Sequence, residues 1–516
     1  MATVSILLAC IAEKLGLDGN YRDWTRPVIF RARLTNPDAP RTKLRKLKLQ
    51  DGEEEEYRRI LEGSPEGAGA VTQAWRIIRR FVAQNDVGKL LTGLDRFRVV
   101  SIGLDSVEDP QQVFESLNAT GRPLTESEKV KNWLLMGLPG DDQQDLHDTH
   151  WRNIEAALNA RDSTELVDTF LRGVLRWRTG STRSESETYA GLRRWAIKTG
   201  RTENTENMKG FFEELAKLAR LYGILTGTAG KHKNSKVERE LAHLRSMGID
   251  SHRPLTLRLL NDADRGISGA TDAVLSEVFA LISSWTTRLW LANRPTHGLN
   301  TAFVRLAHTT LSPDDDYVEF WRGQISGLRN QSVGVPDGAK VCQGVRSRKA
   351  YGGSATRTAS AILCALMEAE HGDAAPARST LTIEHIMPRT LTPEWRDDLG
   401  EDAEELHGEY CNRLPNLTLS GDVTNSRMGA RPFDQKRKDY ENNPIGLTRR
   451  IADEDRWDRE ALERRAECLA RRVLDRWPWS DPVRPKPMNE VLRWRINGGT
   501  WHVESHAYKM VLGVVG

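Results

Sequence analysis

From about residue 145 to 310, apolar side chains recur every three or four positions, as in Leu166, Phe170, Val174 and Trp177. That interval places them on one side of an α-helix and is incompatible with the two-residue period of a strand. Breaks rich in Gly, Ser and Thr near 179–188, 226–236 and 264–271 cut the pattern into successive helices, so the middle of the chain reads as all-α. The regime changes at His371-Gly372-Asp373-Ala374-Ala375-Pro376, just after a helical stretch at 354–370. Beyond it, Leu381-Thr382-Ile383 is strand-like and 391–445 is turn-rich. The segment 456–477 is a helix with Leu462, Ala466, Leu469, Val473 and Trp477 on one face. Its opposite face mixes Arg459, Arg464, Arg471 and Arg472 with Glu460, Glu463 and Glu467, the pattern of a solvated surface rather than of a polyanion site. The fold class expected is mainly α with a small α+β module, in a multidomain chain.

At 516 residues the chain exceeds one ordinary core, which agrees with two or three domains. No stretch approaches the roughly 20 consecutive apolar residues of a membrane span. A net charge of +3 and a pI of about 8.5 neither demand nor exclude a polyanion, so any nucleic-acid site has to be local. Cys10, Cys342, Cys364, Cys411 and Cys468 are scattered, with no Cys-x-x-Cys pair, which argues against a disulfide framework and a zinc ribbon and favours a cytoplasmic location.

Towards the amino terminus, residues 4–15 are apolar nearly all round and predict a buried helix. A core helix at the very start reads as a chain whose preceding part is absent, and the apolar run 510–516 reads as a similar cut at the other end. Residues 41–48 carry five cations ahead of four consecutive acids, Glu53 to Glu56; a solvated loop entering a helix accounts for them, with a phosphate-contacting strip as the alternative. Segments 65–95 and 111–137 read as helices. The second is signalled by Thr125-Glu126-Ser127-Glu128, the Thr-x-x-Glu spacing of a capping box. A glycine-bearing, cation-containing loop is expected at 330–355, and the alternation at 491–501 around Asn497-Gly498-Gly499 predicts a β-hairpin.

The chemistry concentrates between 383 and 440. Ile383-Glu384-His385-Ile386-Met387-Pro388 is followed by Asn412-Arg413-Leu414-Pro415-Asn416-Leu417-Thr418-Leu419 and then by Asn425. A neutral imidazole can take a proton from water near pH 7. A carboxylate and an amide carbonyl are hard oxygen donors of the kind Mg²⁺ or Mn²⁺ accepts, with water and phosphate oxygens completing the shell. Glu384 and His385 on an extended segment point to opposite sides, so a twist or bulge would have to bring them into one cavity. Singly, such a histidine is a structural residue and such an asparagine a turn cap; together and in this order they point to phosphodiester hydrolysis.

Ile-Glu-His-Ile-Met-Pro, the Asn-x-x-x-Asn-Leu-Thr-Leu that follows and an Asn nine residues past Asn416 resemble the HNH nuclease ββα-metal motif. The continuation Arg431-Pro432-Phe433-Asp434-Gln435-Lys436 resembles the Pro-Phe-x-x-Lys ending of HNH modules in GmrSD-type modification-dependent restriction endonucleases. The resemblance implies His385 as general base, Glu384 and Asn425 as metal ligands, Asn416 as a bridge between the two strands that holds the base in position, and Lys436 as a contact to phosphate or a stabiliser of the transition state. Arg389 stands where that family has Gln, and the zinc-binding cysteines of some HNH proteins are absent. Upstream, Val113 to Thr125 and Lys131-Asn132-Trp133-Leu134-Leu135 resemble the ParB/sulfiredoxin-like sensor and nucleotidase region of the same enzymes. There Asn118, Thr120 and Arg122 would line a nucleotide or DNA pocket, although a turn feeding the capped helix also explains them. The Asp-Gly-Gln-Gln-Arg element of that region is missing, which implies a start further upstream or an inactive nucleotidase half.

The implied organisation is a shortened ParB/sulfiredoxin-like region at 1–140, a helical middle at 141–370, an HNH (ββα-metal) nuclease module with a trailing helix at 371–480, and the start of a hairpin-containing segment at 481–516. The implied function is a metal-dependent DNA endonuclease of bacterial restriction or antiphage defence, acting on DNA that includes modified or phage DNA, with Mg²⁺ or Mn²⁺ as cofactor. A nucleoside triphosphate joins the cofactors only if the chain begins further upstream. The alternative is a non-cleaving DNA or nucleotide sensor that keeps the HNH fold. Neither oligomeric state nor a preference for DNA over RNA follows from the sequence.

Overall fold

The structure is a computed structural model that describes residues 2–15, 47, 49, 51–61, 66–98, 123–136, 138, 140–159, 164–182, 184–295, 298–312, 314–329, 331–421, 425, 427–480, 493–497, 500–504 and 509–512. The chain divides into two compact units, 1–108 and 109–516. It is 72% helical with a small two-stranded antiparallel sheet, the mainly-α plus α+β class expected. No described helix is long and apolar enough to cross a membrane.

In the first unit, α1 (Ala2–Lys14) buries Ile6, Leu8, Cys10 and Ile11 against α2 (Asp51–Leu61) and α3 (Ala70–Gln84), forming one small core. The helix expected over 65–95 is two helices, α3 and α4 (Val87–Asp95). Asn85 takes an extended conformation that ends the first, and the Asp86 side chain accepts a hydrogen bond from the Lys89 amide to start the second.

The second unit opens with α5 (Glu126–Met136). The Glu128 amide donates to Thr125 Oγ1 at 3.3 Å and the Thr125 amide to Glu128 Oε2 at 2.7 Å, which is the reciprocal capping box read from the sequence. A helical segment over 140–157 leads to α6 (Glu165–Thr179), α7 (Thr188–Lys198), α8 (Thr205–Thr226), α9 (Ser235–Met247), α10 (Arg253–Asp264), α11 (Asp272–Leu291), α12 (Leu299–His308) and α13 (Tyr317–Ser326). Their apolar stripes meet in one core that runs from Val130 to Val333 and includes Phe170, Phe212, Phe279 and Trp285.

Next come α14 (Gly338–Ser347) and α15 (Ser354–His371). The first lies inside the loop expected at 330–355. Asp337 caps it by accepting from the Lys340 amide, a start signal that the neighbouring glycines had masked. After α15, β1 (Leu381–His385) pairs antiparallel with β2 (Leu417–Gly421) in the register Ile383↔Leu419 and His385↔Leu417. Between the strands lie α16 (Pro393–Leu399), capped by Thr392, and α17 (Ala403–Tyr410), and after them α18 (Phe433–Glu441) and α19 (Arg459–Arg476), so 391–445 holds three short helices where turns were expected. Val341, Val345, Ile362, Leu366, Leu417, Leu419, Leu469 and Val473 share one core, and the boundary expected at 371–380 therefore falls inside a packed unit. Strands β3 (Arg493–Asn497), β4 (Thr500–Glu504) and β5 (Lys509–Leu512) form a second antiparallel sheet in which β3 and β4 are the expected hairpin.

Candidate active site

The strand that carries Glu384 and His385 is held on both faces. Ile383 and Leu381 pack on the core shared with α15 and α19, while Ile386 and Met387, just past the strand, are buried in a separate cluster with Trp395, Phe433 and Trp457. Phe433 stacks on Trp457 at 5.6 Å between ring centres, and the Trp395 indole donates to the Arg431 carbonyl at 2.9 Å. These contacts tie the segment after β1 to the entrance of α18.

Asn416 fastens the same segment from below. Its buried amide donates to the carbonyls of Met387 at 2.8 Å and Cys411 at 3.0 Å, and its Oδ1 accepts from the Met387 amide at 2.8 Å and the Trp457 indole at 3.0 Å. With its backbone carbonyl accepting from the Ile386 amide at 3.0 Å, Asn416 locks the exit of β1 to the entrance of β2. Behind β2, the buried Arg465 of α19 donates to the carbonyls of Leu417 and Leu447 at 3.2 and 3.1 Å.

Glu384 and His385 face opposite ways. On one side Phe433, Lys436 and Tyr440 share a face of α18 that packs on the strand. Lys436 is fully buried and gives its three N–H groups to Glu384 Oε1 at 2.6 Å, the His385 carbonyl at 2.8 Å and the Ile386 carbonyl at 3.1 Å. The Tyr440 hydroxyl faces the same carboxylate with no partner inside hydrogen-bond distance. Burial raises the Glu384 carboxyl and lowers the Lys436 ammonium, and their mutual contact opposes both shifts. Lys436, expected to contact phosphate or stabilise the transition state, is thus buried with all three N–H groups engaged inside the protein. An ammonium with every N–H satisfied and no exposed surface is an internal anchor, and the clue was its place three residues after the buried Phe433 rather than its charge.

On the other side, His385 Nε2 lies 3.3 Å from Asn412 Oδ1, and the ring meets the edge of Tyr351 at 4.4 Å between centres. An amide oxygen only accepts, so the proton sits on Nε2 and Nδ1 keeps its lone pair. The Asn412 carbonyl in turn accepts from the amides of Ala350 and Tyr351 at 2.7 and 3.2 Å, which brings the loop before α15 to the site. Gly352 and Gly353, both at positive φ (116° and 57°), make the turn that follows Tyr351. The exposed Arg389 guanidinium lies over the Tyr351 ring at 5.5 Å. Burial foremost, with Arg389, Lys436 and His407 adding positive field against the help of Asn412, brings the imidazole down to about 4, so it is neutral at pH 7. Asn412 stood in the motif without a role, and neither Tyr351 nor the placement of Arg389 was found from the sequence. Tyr351 lies 34 residues before the histidine, and backbone pairing of its loop with residues 412 and 413 brings it there.

Asn425 donates through Nδ2 to Thr382 Oγ1 at 2.9 Å and to the Ile383 carbonyl at 3.0 Å, which leaves Oδ1 as the acceptor end of its amide. Thr382 and Glu384 lie two residues apart on the strand and so share a face. Among the described residues no group of three or more His, Cys, Asp or Glu could hold a metal ion. A cation here would rest on two hard-oxygen residues and complete its shell with water and phosphate oxygens, an arrangement that suits Mg²⁺ or Mn²⁺ and not the closed four-ligand shell of structural zinc. Asn118, Thr120 and Arg122 lie outside the described residues.

No curated protein matches the chain. Residues 346–472 match the family model described as GmrSD restriction endonucleases, C-terminal domain, a span that contains Tyr351, Arg389, Asn412 and all five site residues expected between 384 and 436. This part of the chain is a C-terminal module of the GmrSD restriction endonuclease type.

Proposed function

We propose that the protein is a metal-dependent DNA endonuclease of restriction or antiphage defence, with His385 as general base. The observation that carries the reading is the imidazole itself: neutral at pH 7, fixed in one tautomer by Asn412, and placed at the end of a strand whose exit Asn416 clamps. His385 is only 7% exposed, so its open edge lies beside Tyr351 and Arg389, and DNA has to approach from that side. With Nε2 donating to Asn412, Nδ1 is the atom that receives the proton of the attacking water. Arg389 has no carboxylate partner among the described residues, which makes it the cation on this face suited to hold a phosphate. Glu384 and Asn425 would hold Mg²⁺ or Mn²⁺, which supplies a Lewis acid at the phosphate when bound; Glu384 would first have to leave Lys436 and turn from its own face of the strand towards that of His385.

The Lys436–Glu384 pair favours a second reading, a DNA-docking module without cleavage, because an ammonium already neutralises the expected metal ligand. Nicking of supercoiled plasmid with Mg²⁺, Mn²⁺ and chelator separates the two. Chelator-sensitive nicking is expected of the wild type, and partial rescue by excess Mn²⁺ of Asn425→Ala and of Glu384→Ala combined with Lys436→Met, since Glu384→Ala alone leaves Lys436 buried without a counterion. A wild-type chain that binds plasmid and leaves it intact with either metal establishes the docking reading.

A further inference from the structure

The helical part of the second unit contains a cavity of about 730 Å³ between α6, the start of α10 and the start of α12, far along the chain from the histidine site. Arg172 and Arg176, one helical turn apart on α6, both line it, and Arg253 enters from α10. Like charges at that spacing repel unless an anion lies between them. The carboxylates that answer two of these cations sit at the mouth. Glu185, paired with Arg172, is 81% exposed against 14% for the arginine, and Asp250, 2.5 Å from Arg253, is 65% exposed against 21%. Glu165, the other carboxylate on the lining, lies in the first turn of α6, about two turns before Arg172.

Arg176 has no carboxylate partner among the described residues. Its Nη1 meets only the amide oxygen of Asn300, at a long 3.3 Å, and its buried Nε has no acceptor. Burial and the neighbouring Arg172 both disfavour its charge. A guanidinium drawn into a cavity with an orphaned N–H calls for an anionic ligand. Behind the arginines the buried Tyr222 packs edge-on against Phe170 of α6, 5.5 Å between ring centres. The Tyr222 hydroxyl accepts from Arg253 at 3.4 Å.

We infer that this cavity binds a phosphorylated small molecule of nucleotide size. Planar, fork-shaped guanidiniums match a phosphate dianion better than any other group, and the volume lies within the range of small-molecule sites and leaves room beside the arginines for more than a phosphate. The inference is independent of DNA cleavage, since binding is measured without it.

Isothermal titration of the full chain with AMP, adenosine and inorganic phosphate tests it. AMP is expected to bind, phosphate more weakly, and adenosine not at all. Arg176→Gln and, separately, Arg172→Gln are each expected to weaken AMP by at least about tenfold, the scale of a lost charge-assisted hydrogen bond. Arg176→Gln removes an uncompensated charge and should leave the circular dichroism unchanged; Asn300→Ala, with the arginines intact, should weaken AMP by a few-fold. Absence of heat with all three compounds at millimolar concentration overturns the inference, as does AMP binding undiminished in both arginine variants. Binding of a 5′-phosphorylated oligonucleotide without binding of AMP overturns it too, because the phosphate would then belong to a DNA end.

Discussion

Glu384 and His385 are consecutive residues on one strand, and their surroundings are opposites. The carboxylate is sealed against α18, where Lys436 and Tyr440 are themselves buried. The imidazole faces a loop, an exposed arginine and a single amide partner 3.3 Å away. A side chain whose contacts are all internal and charged contributes to holding the fold, and breaking those contacts exposes an unpaired charge to a dry interior. A side chain with one long hydrogen bond and an open edge is poorly fixed by the fold and available to a ligand. The alternation of a strand therefore separates an anchoring face from a working face, and mutations should separate stability from activity in the same way.

The anchoring face should give the largest effect. Lys436→Met leaves Glu384 buried without a counterion and is expected to lower stability by about 3–5 kcal/mol. The double variant with Glu384→Gln should recover most of that loss in urea titrations, because neither charge then remains. If Lys436→Met melts like the wild type and loses only nicking, the lysine belongs to the chemistry and the contrast between the two faces fails.

On the working face the order reverses. His385→Ala is expected to lower nicking at least 10²-fold while leaving the urea midpoint unchanged or slightly higher, since a poorly paired buried ring is removed. Retained Mg²⁺-dependent nicking by a folded His385→Ala protein breaks the assignment of the base.

Acid sharpens the comparison through the state of the ring. Burial brings His385 to about 4, His252 to about 3, and His243 well below the usual histidine range. The unfolded chain, with ordinary histidines near 6.5, therefore binds protons between about pH 6.5 and 4 that the folded chain refuses, and stability falls as pH drops through that window. For His385 alone the loss between pH 6.5 and 5 is about 2 kcal/mol. Replacing it with Asn should flatten that part of the stability–pH curve, and an unchanged slope would mean the ring is more open to water than its 7% exposure indicates. Nicking by the wild type should not fall between pH 8 and 6, because the ring stays neutral there.

Much of this was legible in the sequence, and what was not has a common cause. Helical periodicity at 145–310, the Thr125/Glu128 capping box and the pairing of neighbouring strands β3 and β4 act within a few residues, so they can be read from the chain directly. The Glu384–His385 pair could be placed on a strand, and opposite side-chain directions followed from that alone. The burial of Lys436 was not legible because its partners lie 50 to 52 residues away, where sequence shows a charge but not its surroundings. Tyr351, and the contact of Asn412 with the ring, were missed because backbone pairing with no side-chain signature joins their loops. Helix α14 was missed because Asp337 caps it amid glycines that read as loop.

The smallest expected effect tests the hydrogen bond that distinguishes the working face. At 3.3 Å the Asn412 amide orients the imidazole without charging it, so Asn412→Ala should cost about tenfold in nicking, on the scale of one neutral hydrogen bond, with stability little changed. The Ala350 and Tyr351 amides still find the backbone carbonyl of residue 412 in that variant, so the loop stays in place. Asn412→Asp is more discriminating. A carboxylate at the same place keeps the tautomer and favours the protonated ring, which raises the imidazole from about 4 towards its ordinary range. The variant should then lose nicking as pH falls from 8 to 6, where the wild type stays level. A variant whose activity stays level across the same range would show that the atom taking the proton is not on His385, even if replacing that residue abolishes cleavage.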